Sequence, residues 1–302
     1  MDARASGGQL SQKAAGTAAV HLDLDGARHI FRLHGWRYGD EHDPIFESGL
    51  RHALDTFDDA GVTATLFVIA EDLEDRSKRA LIEEARQRGH EIASHSLTHC
   101  RLANLTRLEK QHEIAGSRSR IMQALGVAVD GFRAPDFSLD PECLELIADA
   151  GYAYDSSRIA ASRRGAAKGM EPARAGAHRP LSGRDLIELP LPPHAPLPVP
   201  FHPSYSLVLG EWYFAAGQRM APTDTGPFVL LFHLIDFTDP LPKALLSGWK
   251  QRLYTLSYLS GARKRAACRR MLERISGAFT ISSTNSIVQS LRIQSENQQP
   301  VR

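Results

Sequence analysis

Residues 17–26 read TAAVHLDLDG. Apolar and polar residues alternate along this stretch, which ends in a glycine, and that pattern is typical of a strand running into a loop. Asp23 and Asp25 are two positions apart, so on a strand their side chains lie on the same face. Leu22 and Leu24 take the opposite face and can pack against helices. Two close carboxylates repel each other unless a cation or a proton lies between them, so the pair indicates either a functional site or a strand end that caps a turn.

Strand and helix patterns alternate through the rest of the chain. Residues 62–70, VTATLFVIA, are β-branched and apolar, as in a buried strand. Residues 77–89, SKRALIEEARQRG, form a helical pattern that ends at a glycine, and residues 227–237, PFVLLFHLIDF, are the last strong strand. Strands and helices joined by short connections predict an α/β fold built on a parallel sheet or barrel.

The composition limits the class of protein. The chain has 302 residues, of which 42% are hydrophobic and 24% are charged, and its formal net charge is +1. These values suit one large domain, and the near-neutral charge argues against nucleic acid as a partner. Three scattered cysteines predict no disulfide framework. No stretch resembles a signal peptide or a membrane span, so we expect a soluble, cytoplasmic protein.

Four regions follow from these patterns. We expect a disordered N-terminus over 1–16, a barrel domain over 17–240, a basic helical extension packed on the barrel over 241–288, and a disordered tail over 289–302. Residues 158–185 interrupt the barrel pattern, because they are rich in Gly, Ala and Arg without an apolar period, and they predict a mobile loop.

Polar and ionisable residues recur where the predicted strands end, and in a parallel barrel these ends gather on one side. The residues are Asp23, Asp25, His95, His99, Arg133, Asp155 and His233. The segment HSLTH (95–99) sets two histidines four residues apart, which brings both imidazoles to one side if the loop turns helically. With one carboxylate they make an open site for zinc or another divalent ion. The alternative is a pair of polar surface histidines.

A second aspartate pair, in TFDDAG (56–61), has a different interpretation. It falls in a helical pattern in which Phe57 faces the core and Gly61 ends the helix. Asp58 and Asp59 then lie on the solvent side of the last turn, and we predict that they are ordinary surface residues.

The motifs DLDG, HSLTH, FRAP, YDSS and LLFH resemble, in this order, the five motifs of the polysaccharide deacetylase (NodB-homology) family, carbohydrate esterase family 4. The resemblance runs from about Ala18 to Phe237. It implies a distorted (β/α)7-type barrel, related to the TIM barrel, that binds a divalent metal and removes N-acyl groups, usually acetyl from amino sugars. The metal implied is most often zinc, with cobalt, nickel or manganese as further candidates.

The resemblance also implies roles for individual residues. Asp25, His95 and His99 would be the metal ligands, and Asp23 the general base. The usual first motif of the family is TFDDG, with adjacent aspartates, whereas this chain has a D-x-D arrangement that resembles a variant branch. Strand geometry lets Asp23 reach the same space.

The remaining motifs supply the acid and the substrate loop. Arg133 would pair with Asp23 and hold it ionised, and His233 would be the general acid, with Asp155 keeping its imidazole charged. The loop after Arg133 would bind substrate through the residues Pro135, Asp136 and Phe137.

The implied substrate is an amino sugar, a polysaccharide or a lipid-linked sugar precursor. Basic residues are dense in 158–184 and in 250–274, where they alternate with aromatics. They predict either a solvated surface or contact with an anionic substrate, or with an anionic membrane at its inner face. Two other functions stay open: a related amidohydrolase acting on a formamide or an allantoin-like ring, with or without metal, and a non-catalytic carbohydrate-binding barrel.

Overall fold

The structure, a computed structural model, describes residues 16–39, 42–160, 170–171, 173–194, 196–220 and 226–297. The strands are β1 (Thr17–Asp23), β2 (Ala64–Val68), β3 (Glu91–Ser94), β4 (Gly131–Phe132), β5 (Tyr154–Asp155), β6 (Ile187–Glu188), β7 (Phe228–His233) and β8 (Thr280–Ile281). The helices are α1 (Ala27–Leu33), α2 (Pro44–Asp59), α3 (Arg76–Gln87), α4 (Arg107–Gln111), α5 (Ser117–Leu125), α6 (Pro141–Asp149), α7 (Pro203–Leu209), α8 (Glu211–Met220), α9 (Trp249–Tyr254), α10 (Gly261–Ser276) and α11 (Thr284–Asn297).

Seven of the strands form one curled sheet in the order β6-β5-β4-β3-β2-β1-β7, and every neighbouring pair is parallel. The short strand β8 pairs with Thr17 and Ala18 at the start of β1. Helices alternate with the strands, as parallel connections require. The architecture confirms the predicted distorted (β/α)7-type barrel, in the form of an open half-barrel.

The alternation along β1 separates two apolar layers. Val20 and Leu22 are buried in the layer between the sheet and the surrounding helices. Ala19 belongs to a second cluster, which fills the interior of the curled sheet together with residues of β7. His21 and Asp23 lie on the same face as Ala19, because side chains repeat every second residue along a strand. Both are buried, so β1 carries two ionisable groups into the interior.

The C-terminal helix α11 closes one end of that interior. Its residues Ile287 and Val288 pack in the interior cluster, and it begins three residues after the end of β8, which pairs with the start of β1. Residues 289–297 are therefore helical, and the disordered tail expected for 289–302 is wrong for this part. Its apolar side chains belong to the core, which a reading of composition does not reveal. Residues 298–302 lie outside the described part.

Three other helical segments have no counterpart in the sequence analysis. Residues 27–33 form α1, a helix of seven residues whose N-cap, Gly26, has no side chain to signal it. Residues 107–125 form α4 and α5, which are joined by a π-helical segment, His112–Gly116. Residues 203–220 form α7 and α8, for which no helix was predicted.

Two expected regions fall partly on residues without a described structure. Residues 1–15 of the expected disordered N-terminus lie outside the described part, as do 161–169 and 172 of the expected loop 158–185. Within the described part of that loop, His178 forms an antiparallel bridge with Glu188 of β6. No helix among the described residues is both long and apolar enough to cross a membrane.

Candidate metal centre and active site

The candidate functional residues meet at the carboxyl ends of adjacent strands. Asp23 is the last residue of β1, and its register partner on β7 is His233, the last residue of that strand. His95 follows the end of β3, and Arg133 follows the end of β4. Parallel strands end on one side of the sheet, so a polar residue at each end contributes to one common site.

Asp25, His95 and His99 form a compact three-residue cluster. One ligand atom of each lies within 4.8 Å of the others. The Asp25 Oδ1 atom is 3.3 Å from His95 Nε2 and 3.2 Å from His99 Nε2. Both imidazoles are almost fully buried, and the Asp25 side chain is 15% exposed. Two nitrogen donors and one carboxylate oxygen in this arrangement are a ligand set typical of zinc and similar ions.

The protonation of the cluster fits a bound cation. The Asp25 Oδ1 and His99 Nε2 atoms are buried without a hydrogen-bond partner, which a cation between them would correct. His95 donates its Nδ1 hydrogen to the Arg133 carbonyl oxygen at 2.8 Å, so its Nε2 lone pair is free to bind metal. Burial raises the pKa of Asp25, but the two histidines outweigh it and hold that pKa well below its usual value. Burial also lowers the pKa of His99, which favours the neutral imidazole that a ligand needs.

The HSLTH loop reaches this geometry without a helical turn. Ser96 and His99 adopt left-handed backbone conformations with φ values of 68° and 58°, so the helical turn expected from the spacing is wrong. The Glu113 carboxylate holds the loop, because it accepts hydrogen bonds from the backbone N–H groups of Leu97 and Thr98 at 3.0 and 2.9 Å. Glu113 lies in the π-helical segment, a local feature that often occurs at functional sites.

The loop after β1 is held by a second buried carboxylate. Asp43 accepts a hydrogen bond from the Ala27 backbone N–H at 2.8 Å, and its other oxygen pairs with Lys78 at 3.0 Å. A Cβ atom on Gly26 would lie 2.1 Å from that carboxylate, so only glycine leaves room for this contact. These contacts fix the backbone next to Asp25 and so hold its carboxylate in position for the metal cluster.

Asp23 and Arg133 form a buried ion pair beside the metal cluster. The Arg133 Nη1 atom donates to Asp23 Oδ1 at 2.8 Å, and Nε donates to the Ser156 carbonyl oxygen at 2.7 Å. The guanidinium also lies 4.1 Å from the centre of the Phe67 ring. The second Asp23 oxygen, Oδ2, is 3.7 Å from His95 Nε2 and so faces the metal cluster.

His233 lies on the other side of Asp23. Its Nε2 atom is 3.9 Å from Asp23 Oδ2, and its Nδ1 atom is 3.4 Å from Ser204 Oγ. Ser204 donates its own hydrogen to Asp236 at 2.6 Å, so its oxygen can accept only the Nδ1 hydrogen of His233. The ring of His202 lies 5.1 Å from that of His233, centre to centre.

The partner expected for His233 is therefore different. Asp155 lies on β5 and accepts a hydrogen bond from Ser157 at 2.5 Å, and it also interacts with Glu188. It does not reach the imidazole, because Ser204 of α7 and Asp236 of the 3-10 turn after β7 occupy that position. Asp236 stands three residues after His233 in LLFHLIDF, a spacing that could have suggested it. Ser204 carries no signal of this kind.

Residues 29–154 match the family model of polysaccharide deacetylase. Over this segment the chain resembles the polysaccharide deacetylase family. The matched residues include His95, His99 and Arg133, whereas Asp23, Asp25 and His233 lie outside the match and join the same cluster through the fold.

Solved structures of low sequence identity share the fold of this chain. A protein from Mycobacterium smegmatis described as a polysaccharide deacetylase has a TM-score of 0.62 at 17% identity, over 97% of this chain and 96% of that one. One from Pseudomonas aeruginosa PAO1 with the same description has a TM-score of 0.60 at 12% identity, over 96% and 93%. The Puue allantoinase has a TM-score of 0.60 at 11% identity, over 96% and 93%. A search of curated proteins gives no significant match.

The expected substrate loop directly follows Arg133, and its polar groups are engaged within the chain. Pro135 begins a 3-10 turn in which Asp136 and Phe137 have left-handed φ values of 52° and 53°. Non-glycine residues in this conformation store strain that is common at functional sites. Asp136 pairs with Arg101 at 2.5 Å, and the Phe137 N–H donates to the Ala134 carbonyl oxygen, so neither group is free in this arrangement.

The second aspartate pair, Asp58 and Asp59, lies on the surface, as predicted. Asp58 and Asp59 occupy the last turn of α2, with side chains 51% and 60% exposed. They pair with Arg88 and Arg269 rather than with any residue of the metal cluster.

Proposed function

We propose that this protein is a member of the polysaccharide deacetylase family and a metal-dependent N-deacetylase that removes an acetyl group from an amino sugar, within a polysaccharide or a sugar-containing envelope precursor. One observation carries the proposal: Asp23 Oδ2 lies between the metal cluster and His233, 3.7 Å from His95 Nε2 and 3.9 Å from His233 Nε2. A base and an acid thus flank the position where a water and an amide would meet.

In this proposal the metal ligands are Asp25, His95 and His99, and the ion is zinc, with cobalt, nickel or manganese as alternatives. Three protein ligands leave open positions, which is typical of catalytic rather than structural sites. When bound, such an ion polarises an acyl carbonyl and lowers the pKa of a water molecule toward about 7.

Asp23 is the general base in this mechanism. Its Oδ2 atom faces the cluster, and its Oδ1 atom is occupied by Arg133, so the side chain has one free oxygen in a fixed direction. Arg133 favours the ionised carboxylate, which is the form that can take a proton from the attacking water. A positioned base of this kind contributes about 10²–10⁴-fold to the rate.

His233 is the general acid. Its Nδ1–H is directed at Ser204, so the proton that it delivers is the one on Nε2, which points toward Asp23 and the cluster. An amine is a poor leaving group until its nitrogen is protonated, and His233 is placed to supply that proton. In place of Asp155, we propose Ser204 and Asp236 as the residues that orient the imidazole.

Basic side chains of the C-terminal region form ion pairs with acidic residues elsewhere in the chain. On α10, Arg269 pairs with Asp59 and Arg270 with Glu211. These pairs favour the interpretation as a solvated surface. We propose contact with an anionic sugar or membrane surface only around the exposed aromatics Trp249 and Tyr254, which are 70% and 50% exposed, where the Lys250 ammonium lies 5.9 Å from the centre of the Trp249 ring. Salt-reversible co-sedimentation with anionic vesicles would support this contact, and no binding at low salt would contradict it.

Acetate release tests the proposed function directly. The purified chain would be incubated with a panel of N-acetylated and N-formylated sugars, oligosaccharides and sugar-lipids, as apo-protein, with added zinc and with chelator. Zinc-dependent acetate release supports the proposal. Formate release, or turnover of an allantoin-like ring in the presence of chelator, supports the amidohydrolase instead. Saccharide binding without any turnover supports a non-catalytic barrel.

A further inference from the structure

A chain of buried hydrogen bonds runs from the catalytic cluster to the C-terminal helix. Arg133 Nη2 lies 2.6 Å from His21 Nδ1, and His21 Nε2 lies 2.9 Å from Thr284 Oγ1. Thr284 Oγ1 is 2.6 Å from Thr65 Oγ1, which donates to Glu91 at 3.3 Å. Thr284 is the first residue of α11, at the end of the barrel interior where β1 begins.

The direction of every bond in this chain follows from its chemistry. A guanidinium can only donate, so His21 Nδ1 carries no hydrogen and accepts. The His21 hydrogen is then on Nε2 and is donated to Thr284. Because the Thr65 hydrogen goes to the Glu91 carboxylate, Thr284 must donate its own hydrogen to Thr65. This assignment gives each of these groups a hydrogen-bond partner.

The environment of His21 keeps it in this neutral form. The side chain is fully buried, and burial together with the nearby Arg133 guanidinium lowers its pKa well below the usual value. An imidazolium at this position would have no lone pair for Arg133 and would place two cations in contact. His21 thus serves as a hydrogen-bond acceptor of fixed orientation.

Arg133 needs such an acceptor because its charge is fully buried. Its Nη1 reaches Asp23, its Nε reaches the Ser156 carbonyl oxygen, and its Nη2 divides between Ser156 Oγ at 2.8 Å and His21. His21 is two residues before Asp23 on β1, so the same strand face carries both groups to the guanidinium. Loss of the His21 contact would leave Arg133 Nη2 with one hydrogen-bond partner, and the guanidinium group could then rotate away from Asp23.

We propose that His21 and Thr284 are positioning residues for the Arg133–Asp23 pair, so that the C-terminal helix α11 is part of the catalytic apparatus. The proposal rests on the proposed function of Asp23 as the base. Neither residue touches the metal cluster or the substrate position. They affect the orientation of the Asp23 carboxylate. Their loss therefore lowers the rate of the chemical step and leaves the binding of metal and substrate unchanged.

A matched pair of substitutions tests the proposal. Thr284→Val has nearly the same shape but cannot accept from His21, whereas Thr284→Ser keeps the hydroxyl. We expect Thr284→Val to lower kcat for an N-acetylated chito-oligosaccharide by about tenfold, the effect of one hydrogen bond to a positioned group. KM and bound zinc per chain should stay unchanged, and Thr284→Ser should recover most of the rate. His21→Leu, which removes the acceptor itself, should lower kcat by about 10².

A second measurement does not depend on activity. Nitrogen-15 NMR of the histidine side chains reports which ring nitrogen carries the hydrogen, and the His21 signal is identified by its loss in His21→Leu. We expect a neutral His21 with the hydrogen on Nε2, and a shift of that signal in Thr284→Val but not in Thr284→Ser. A hydrogen on Nδ1, or an imidazolium, would overturn the proposal.

The kinetic and NMR measurements together distinguish failure of the positioning role of His21 and Thr284 from failure of the proposed deacetylase function. If Thr284→Val and Thr284→Ser have equal kcat while the thermal midpoint of Thr284→Val falls, Thr284 is only structural and the proposal is overturned. If the wild-type chain releases no acetate from any sugar, the proposed function fails and takes the catalytic consequence with it. The NMR result then still decides whether His21 and Thr284 hold Arg133.

Discussion

Asp23 and His233 are register partners on the neighbouring strands β1 and β7, and their side chains approach to 3.9 Å between Oδ2 and Nε2. Each is the last residue of its strand, so the sheet alone brings them together. The proposed base and acid thus share one edge of the barrel, and the metal cluster lies on the other side of Asp23.

Asp23→Asn should separate the base from the metal site. The amide cannot accept a proton from water, so we expect kcat/KM to fall by about 10²–10⁴ while zinc still binds. Acetate release and zinc content per chain would be measured together. Asp59→Asn, on the exposed end of α2, is the matched control and should keep both. An Asp23→Asn variant with the wild-type rate would remove Asp23 from its role.

Removal of a metal ligand should abolish metal binding and activity together. We expect this for Asp25→Ala, His95→Ala and His99→Ala, because each deletes one of three protein ligands. Zinc affinity by calorimetry and acetate release are the measurements. A variant that lost the metal and kept its rate would favour the metal-free amidohydrolase.

Glu113→Ala should weaken metal binding without deleting a ligand. The carboxylate holds the backbone of the HSLTH loop, and loss of such supporting contacts commonly costs about 10–100-fold in metal affinity. Glu83→Ala, an exposed glutamate on α3 that pairs with Arg79, is the control and should bind zinc normally. Equal zinc affinity in the two variants would show that the loop holds its shape without Glu113.

His233→Ala should remove the acid. We expect a bell-shaped pH profile of kcat/KM for the wild-type chain, with an alkaline limb that reflects the loss of the proton on the acid. The variant should lose about 10²–10⁴-fold in rate, and the alkaline limb should disappear. An alkaline limb that persists unchanged in His233→Ala would assign the acid to another group.

Glu188 should make the stability of the chain fall with rising pH. Burial, followed by the neighbouring Asp155, raises the pKa of Glu188 well above its ordinary value of 4.5. Above pH 4.5 the folded state therefore holds a proton that the unfolded state has lost. The resulting stabilisation is complete below pH 4.5 and decreases, by at most about 1.4 kcal/mol per pH unit, until the pH passes the raised pKa of the folded state.

Glu188→Gln keeps the hydrogen-bonding shape but cannot ionise. We expect the free energy of unfolding of this variant, measured in urea from pH 5 to pH 9, to fall less steeply than that of the wild type. Glu145→Gln, on the exposed face of α6, should follow the wild-type curve. Parallel curves for wild type and Glu188→Gln would show that the proton is not held at Glu188.

The sequence predicted what depends on local pattern. Asp25, His95 and His99 follow from short motifs at strand ends, and the barrel follows from the alternation of strands and helices. The backbone conformation of the HSLTH loop was not predicted correctly. Ser96 and His99 have left-handed conformations where a helical turn was expected, and a spacing of four residues between two histidines is compatible with both conformations.

Contacts between distant parts of the chain were the other limit. Ser204 and Asp236 take the position expected for Asp155, because α7 packs near the end of β7 and no motif records that packing. The second part of α11, residues 289–297, was expected to be a disordered tail, because its polar composition hides the packing of Leu291 against the interior cluster beside Ile287 and Val288.

The position of β7 beside β1 has a consequence for how the protein is made. A nascent chain synthesised only as far as α6 already contains the three proposed ligands, yet it lacks the strand that forms one edge of the sheet and the helix that closes the interior. Such a fragment could capture an ion without any competence to use it. Full activity must await emergence of β7 and α11 from the ribosome, and truncation before α11 should be more damaging than its distance in sequence from the metal cluster would suggest.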